Sequence, residues 1–125
     1  MNINELTIGQ AKELANLFNN KTQNEGLNSH LGEKVIVRTY SAGVFFGKLI
    51  EKIGTEVILE DARRLYQWHA KKSISLSGVA VYGINQDKSK ICPPIKKQWL
   101  DAIEIISLTE TSIKSLEEAK DVEAN

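Results

Sequence analysis

The 125-residue chain has one cysteine, two histidines and no long apolar run, and each scarcity removes a class of function. Cys92 has no partner for an internal disulfide. It stands directly before Pro93-Pro94, the chain's two prolines, as a small apolar filler rather than a nucleophile. No apolar stretch approaches the roughly 20 residues that a membrane-spanning helix needs. Met1 to Glu5 shows neither the basic nor the apolar region of a secretory leader, so a cytosolic setting is expected. His30 and His69 lie in different regions and no His-x-Thr pair exists, which leaves a metal-free phosphodiesterase without its catalytic pair. No Asp, Glu and His residues fall at metal-ligand spacing. Gly43 to Gly47 lacks the Lys-Ser/Thr of a phosphate loop and opens no helix. There is no Ser–His–Asp arrangement either. The expectation is a non-enzymatic protein that needs no cofactor and no metal.

What is present is an ordinary globular composition with an extraordinary distribution of charge. Hydrophobic residues make up 42% and charged residues 26%, which suits one folded domain with a modest core. The 16 cations balance the 16 acids overall. Yet Arg63 to Lys97 holds eight cations against one acid, Asp87, for a local charge of +7. Residues 1–62 carry −2 and residues 98–125 carry −5. Tyr66, Trp68, His69 and Tyr82 lie in the same basic window, with hydroxyls at Ser73, Ser75 and Ser77. Cations beside aromatic faces and hydroxyl donors are what a ligand bearing both phosphate and base requires. A solvated basic surface is the plainer alternative.

Periodicity predicts a single α+β domain built on a small, strongly curved antiparallel sheet or barrel of the SH3/Sm type. Residues 7–19 read as an amphipathic helix, capped by Thr7 and followed by a polar linker to Gly26. The β core spans 33–108. Its strands are expected at Val35–Tyr40, Val44–Ile50 and Glu56–Glu60, and a later strand at Ala102–Ser107 completes the sheet. Between them lies the basic insertion, 63–97. Its first residues continue the third strand, or follow it after a kink at Asp61-Ala62, with Arg64, Tyr66 and Trp68 on one face and Arg63, Leu65 and Gln67 on the other. Ser73 to Tyr82 reads as a short helix with Ile74, Leu76, Val79 and Ala80 inward and Gly83 closing it. Asn85 to Pro94 reads as loop. Thr109 caps a last helix through Ala119 with Ile113 and Leu116 on its packing face, and residues 120–125 are expected to fray.

The candidate ligand-binding residues follow from that window. Arg63 and Arg64 are natural phosphate grips, because a guanidinium fork binds phosphate oxygens bidentately. An ion pair with Glu60 or Asp61 is their structural alternative, and alternation points the two arginines to opposite faces, so one is left for structure. Tyr66 and Trp68 have the faces to stack on a base, with a core role as the alternative for each. Ser73, Ser75 and Ser77 near a helix start suit either phosphate contact or plain capping. His69, Lys71 and Lys72 complete the set. Lys96 and Lys97 add long-range attraction.

Gly47-Lys48-Leu49, Gly54 and Val57-Ile58-Leu59-Glu60-Asp61-Ala62 resemble the first half of the Sm-like small-barrel signature, which implies a fold more than a function. A longer resemblance runs from about Gly32 to Leu116. Val35 to Gly43, Leu59 to Trp68 with its Ala-Arg-Arg-Leu-Tyr-x-Trp run, Ser73 to Ser77 and Asp101 to Ile106 are similar to a family of small phage and prophage proteins of mostly unknown function. That resemblance implies a virus-encoded accessory protein in the cytosol of a bacterial host. By analogy with other compact phage proteins, the expected role is to sequester a small signalling nucleotide, cyclic or derived from ADP-ribose, and so counter bacterial immunity. The expected site is a pocket shared in a homo-oligomer, with no membrane partner. Two alternatives stay open: an RNA- or single-strand-binding small barrel, which the acidic flanks disfavour, and a protein-binding anti-defence inhibitor.

Overall fold

The structure, a computed structural model, describes residue 27 and residues 29–124. The expected helix over 7–19 lies outside the described residues. Among those described, five strands and two helices follow one another: β1 (Lys34–Thr39), β2 (Val44–Ile53), β3 (Glu56–Gln67), α1 (Ser75–Tyr82), β4 (Lys90–Ile91), β5 (Ile95–Ser107) and α2 (Glu110–Glu117). All strand pairings are antiparallel, in the order β2-β1-β5-β3-β4, and a further β2–β3 pairing closes the four long strands into a ring. The fold is a small, strongly curved α+β barrel, as the strand pattern predicts.

Curvature comes from local chain geometry. The Tyr40–Gly43 turn between β1 and β2 is fastened by Thr39, whose hydroxyl donates to Gly43 O at 2.8 Å and accepts from Ala42 N at 2.9 Å. The β2–β3 hairpin turns at Gly54-Thr55, where Lys52 Nζ reaches Gly54 O at 2.7 Å. β3 carries one residue more than β2 between the pairs Phe46↔Arg63 and Lys48↔Glu60. The extra residue is Asp61, held at φ 54°, and this bulge bends the strand so that its two halves serve different layers. The expected kink lies there.

Alternation then divides the apolar residues between two cores. Val35, Val37, Phe45, Leu49, Leu59 and Leu100 fill the barrel. Ile36, Phe46 and Leu65 point outward and are covered by Leu76 and Val79 of α1 and Leu116 of α2. The run Val35-Ile36-Val37 is buried on both sides for this reason.

Several boundaries differ from the sequence reading. β2 extends to Ile53, and β5 begins at Ile95 rather than Ala102, because β3 is long enough to pair with it from Glu56↔Asp101 to Ala62↔Ile95. The Asn85–Pro94 loop contains β4, which pairs with Leu65 and Gln67. Ile74 is 81% exposed rather than inward. Ser73 and Ser75 both take positive φ, so the helix starts only at Ser75 and its buried stripe is Leu76, Val79 and Ala80. Thr109 caps α2 as expected, accepting from Ser112 N at 3.1 Å. Residues just beyond α2 are fastened rather than frayed: Val122 N donates to Ile91 O at 2.9 Å, and Asp121 pairs with Arg63. Each long strand pairs on both sides within the sheet.

Candidate functional site

The basic window folds into three separate environments. Arg63 is only 5% exposed and belongs to the framework. Its Nε donates to Cys92 O at 2.9 Å, Nη1 donates to Leu116 O and Ala119 O at 2.9 Å each, and Nη2 meets Asp121 Oδ1 at 2.8 Å. It ties off carbonyls at the end of α2 that have no partner within the helix. Its ion pair is with Asp121, and not with Glu60 or Asp61.

Arg64 points the other way, as alternation requires. Its exposed guanidinium lies over the Phe45 ring, 4.8 Å from the centroid. Tyr66, two residues on, is 71% exposed. Trp68 leaves this pair: it is half-buried against the outer core, which is its structural reading.

The third environment gathers the rest. β3 ends at Gln67, and Ala70 bridges Ile84 so that Lys71 N donates to Gly83 O at 2.9 Å. Lys72 places its ammonium 5.6 Å from the centre of the Tyr82 ring. Gly83 then turns the chain at φ 92°, a conformation that side-chain-bearing residues rarely adopt. It does so against α2 so closely that a Cβ at Gly83 would stand 2.6 Å from Ser115 Cβ and Oγ. Ser115 Oγ in turn accepts from Ile84 N at 3.0 Å. This close approach leaves a cleft of about 560 Å³ between the Tyr82–Gln86 segment and one face of α2.

Lys71 of the loop and Lys114 of α2 line this cleft, together with one acid, Glu118. Tyr82 supplies an aromatic wall, and Asn85, Gln86 and Thr111 supply neutral polar groups. Two cations lining one cleft with an aromatic ring and amide side chains suit a small anion that also carries a flat heterocycle.

Two neighbouring clefts are built differently. One of about 410 Å³ above Phe46 and Gly47 holds Lys34, Lys48 and Arg63 against Glu60, Asp61, Glu117 and Asp121. Arg63 is committed there, and Lys34 pairs with Glu117. The other, about 520 Å³, adjoins the basic cleft through Gln86 and Glu118 and sets Lys90 and Lys120 against Asp87, Glu118 and Asp121. Neither has a net positive lining. Among the described residues, no three His, Cys, Asp or Glu side chains gather as metal ligands, and no helix is long and apolar enough to cross a membrane.

Of the sequence candidates, Lys71 lines the basic cleft and Lys72 stands beside its Tyr82 wall. Ser73, Ser75 and Ser77 are exposed outside that lining. No side chain caps α1 at its N-cap, Ile74, while Ser75 Oγ accepts from Ser77 N at 3.2 Å. His69 is exposed, with its backbone N–H on Ser89 Oγ at 3.1 Å. Sequence reasoning missed Asn85, Gln86, Thr111, Lys114 and Ser115. Lys114 sits in the acidic C-terminal third, where a charge window passes over it, and only folding brings α2 against the basic loop.

A family profile described as a domain of unknown function, DUF6948, matches residues 32–116. That span holds every residue named in the cleft except Glu118. No curated protein and no solved structure matches the chain.

Proposed function

The chain belongs to the DUF6948 family, and we propose that this member is a non-enzymatic binding protein for a small phosphate-bearing nucleotide. The cleft between the Tyr82–Gln86 segment and α2 carries the reading: Lys71, Lys114 and Tyr82 line it together, with a single carboxylate, Glu118. The phosphates sit between the two ammonium groups and the base lies against the tyrosine ring. In this reading the ligand is held rather than turned over.

The similarity to small phage and prophage proteins gives this binding a purpose. In that setting the protein is phage-encoded, works in the host bacterial cytosol, and removes a cyclic or ADP-ribose-derived immune signal by sequestering it. A homo-oligomer in which a second copy closes over the cleft would enclose the ligand.

A second reading rests on one observation: Arg64 and the exposed Tyr66 stand together on the face of β3 away from the helices. A cation beside an open aromatic face suits a single-stranded nucleic acid.

A thermal-shift screen against cyclic di- and trinucleotides, cyclic ADP-ribose isomers, linear dinucleotides and a short single-stranded RNA separates the two. Binding at a thousandfold excess over Kd adds about 4 kcal/mol to apparent stability. A large shift with one small nucleotide that survives moderate salt supports sequestration. A salt-sensitive response to RNA alone transfers the function to the Arg64–Tyr66 face.

A further inference from the structure

The amide side chains of the cleft are held in fixed orientations by the backbone around them. Asn85 Oδ1 accepts from Asp87 N at 3.0 Å and from Lys88 N at 3.1 Å. Two backbone donors on one atom identify it as the oxygen, so Asn85 Nδ2 is the group left to donate. Gln86 is oriented in the opposite sense. Its Nε2 donates to Ser115 O at 2.8 Å and approaches Ser115 Oγ at 3.4 Å, which leaves Oε1 to accept. Among the described residues, neither Asn85 Nδ2 nor Gln86 Oε1 has a hydrogen-bond partner. The two residues are adjacent, and both line the cleft that holds Lys71, Lys114 and Tyr82.

We propose that Asn85 and Gln86 form a base-edge reader. Asn85 Nδ2 donates to an acceptor on the edge of a heterocyclic base, and Gln86 Oε1 accepts from the neighbouring N–H donor. Every nucleobase presents an acceptor beside a donor on its Watson–Crick edge, whereas a bare polyphosphate or a sugar phosphate presents no planar pair of this kind. The inference rests on the nucleotide reading of the cleft and adds to it. The lysines attract any compact polyanion, and the two amides select those that bear a base. Because both amides are already fastened to the framework, little side-chain freedom is lost on binding.

Calorimetric titration of the full chain with the 5′-diphosphates of adenosine, guanosine, cytidine and uridine, and with inorganic tripolyphosphate as a probe without a base, tests this. At least one nucleoside diphosphate is expected to bind on the order of tenfold more tightly than tripolyphosphate, the worth of one good hydrogen bond or two modest ones. Asn85→Asp keeps the Oδ1 acceptor and removes the Nδ2 donor. It adds a charge that weakens every anion, so the ratio of nucleotide to tripolyphosphate affinity is the readout, and that ratio should collapse towards one. Gln86→Ala should reduce the ratio too.

A nucleotide preference that depends on Lys71 but ignores both amide substitutions overturns the base-edge reader and leaves the nucleotide cleft standing. Equal affinity for nucleotides and tripolyphosphate in the unsubstituted protein also overturns it. Absence of binding by all five probes, and by the cyclic and ADP-ribose-derived nucleotides of the thermal-shift screen, removes the cleft reading and this inference with it.

Discussion

Arg63 Nη2 meets Asp121 Oδ1 at 2.8 Å across 58 residues of sequence, and the contact locks the end of α2 to the barrel just past the β3 bulge. The carboxylate is the outer and weaker part of this arrangement, since Asp121 is exposed. The inner part is three backbone carbonyls, of Cys92, Leu116 and Ala119, that share the same guanidinium.

Arg63→Ala should therefore destabilise the fold by about 2–4 kcal/mol, because carbonyls that are buried with it lose their donor. Asp121→Asn should cost less, about 1 kcal/mol, because Asp121 is exposed and an amide oxygen there can still accept from Arg63 Nη2. Urea unfolding of the two variants checks the ordering. Equal losses would mean that the charge pair, and not carbonyl satisfaction, holds the helix end.

The fold was legible in the sequence wherever a local rule determines structure. Period-two alternation locates β1, β2 and the start of β3, Thr109 marks the start of α2, and the Asp61-Ala62 kink is a bulge with Asp61 at positive φ. What was not legible depends on distant partners. The start of β5 at Ile95 requires β3 to run on to Ala62 and pair with it, and no local pattern encodes that partnership. Arg63 and Arg64 look alike in sequence, and alternation separates their faces without saying which face lies under α2. The candidate site fared worse for the same reason. Lys71 was identified because it lies in a dense run of cations, whereas Lys114, Ser115 and Asn85 join it only after α2 docks on the Gly83 turn.

That docking depends on Gly83. Alanine there would have to adopt φ 92° and bring a Cβ within 2.6 Å of Ser115. Backbone strain alone costs about 1–3 kcal/mol. Gly83→Ala should lower the melting temperature and weaken ligand binding together, since the same turn shapes the cleft. A variant that melts like the unsubstituted protein would show that the turn relaxes freely.

Gly78 tests the other support of the cleft. A Cβ at this position of α1 would stand 2.7 Å from Lys72 O and 3.1 Å from Ala70 Cβ. Alanine normally favours a helix over glycine by up to about 1 kcal/mol, but here the contact is with backbone and outweighs that gain. Gly78→Ala should destabilise by roughly 1–3 kcal/mol, measured by chemical unfolding. Net stabilisation would mean that the Ala70–Ser73 segment is not seated on α1.

Lys71→Ala and Lys114→Ala should each reduce nucleotide affinity by about ten- to a hundredfold, the range for losing one charge-assisted hydrogen bond. Both side chains are exposed, so the unliganded melting temperature should move little. Calorimetry beside thermal unfolding separates the two effects. Affinity that survives the double substitution would place the ligand elsewhere.

Arg64→Ala and Tyr66→Ala decide between the small-ligand cleft and the open face of β3. Arg64 stacks on Phe45 but does not line the cleft, so its removal should leave small-nucleotide affinity within about twofold while costing about 0.5–1 kcal/mol of stability from the lost cation–π contact. If the protein instead works on single-stranded nucleic acid, the same substitution should weaken binding and flatten its salt dependence by roughly 0.7 on a log–log plot for one phosphate contact. Tyr66→Ala should then cost about 1–3 kcal/mol of binding for one unstacked base. Titrations at several salt concentrations read both quantities together. A compact dianion or trianion needs only the two lysines of the cleft, whereas a longer polyanion must also run past the acidic residues of the C-terminal third, where its repulsion grows with length. Unchanged nucleotide binding in Arg64→Ala, with a shallow salt slope, is therefore the result that the cleft requires.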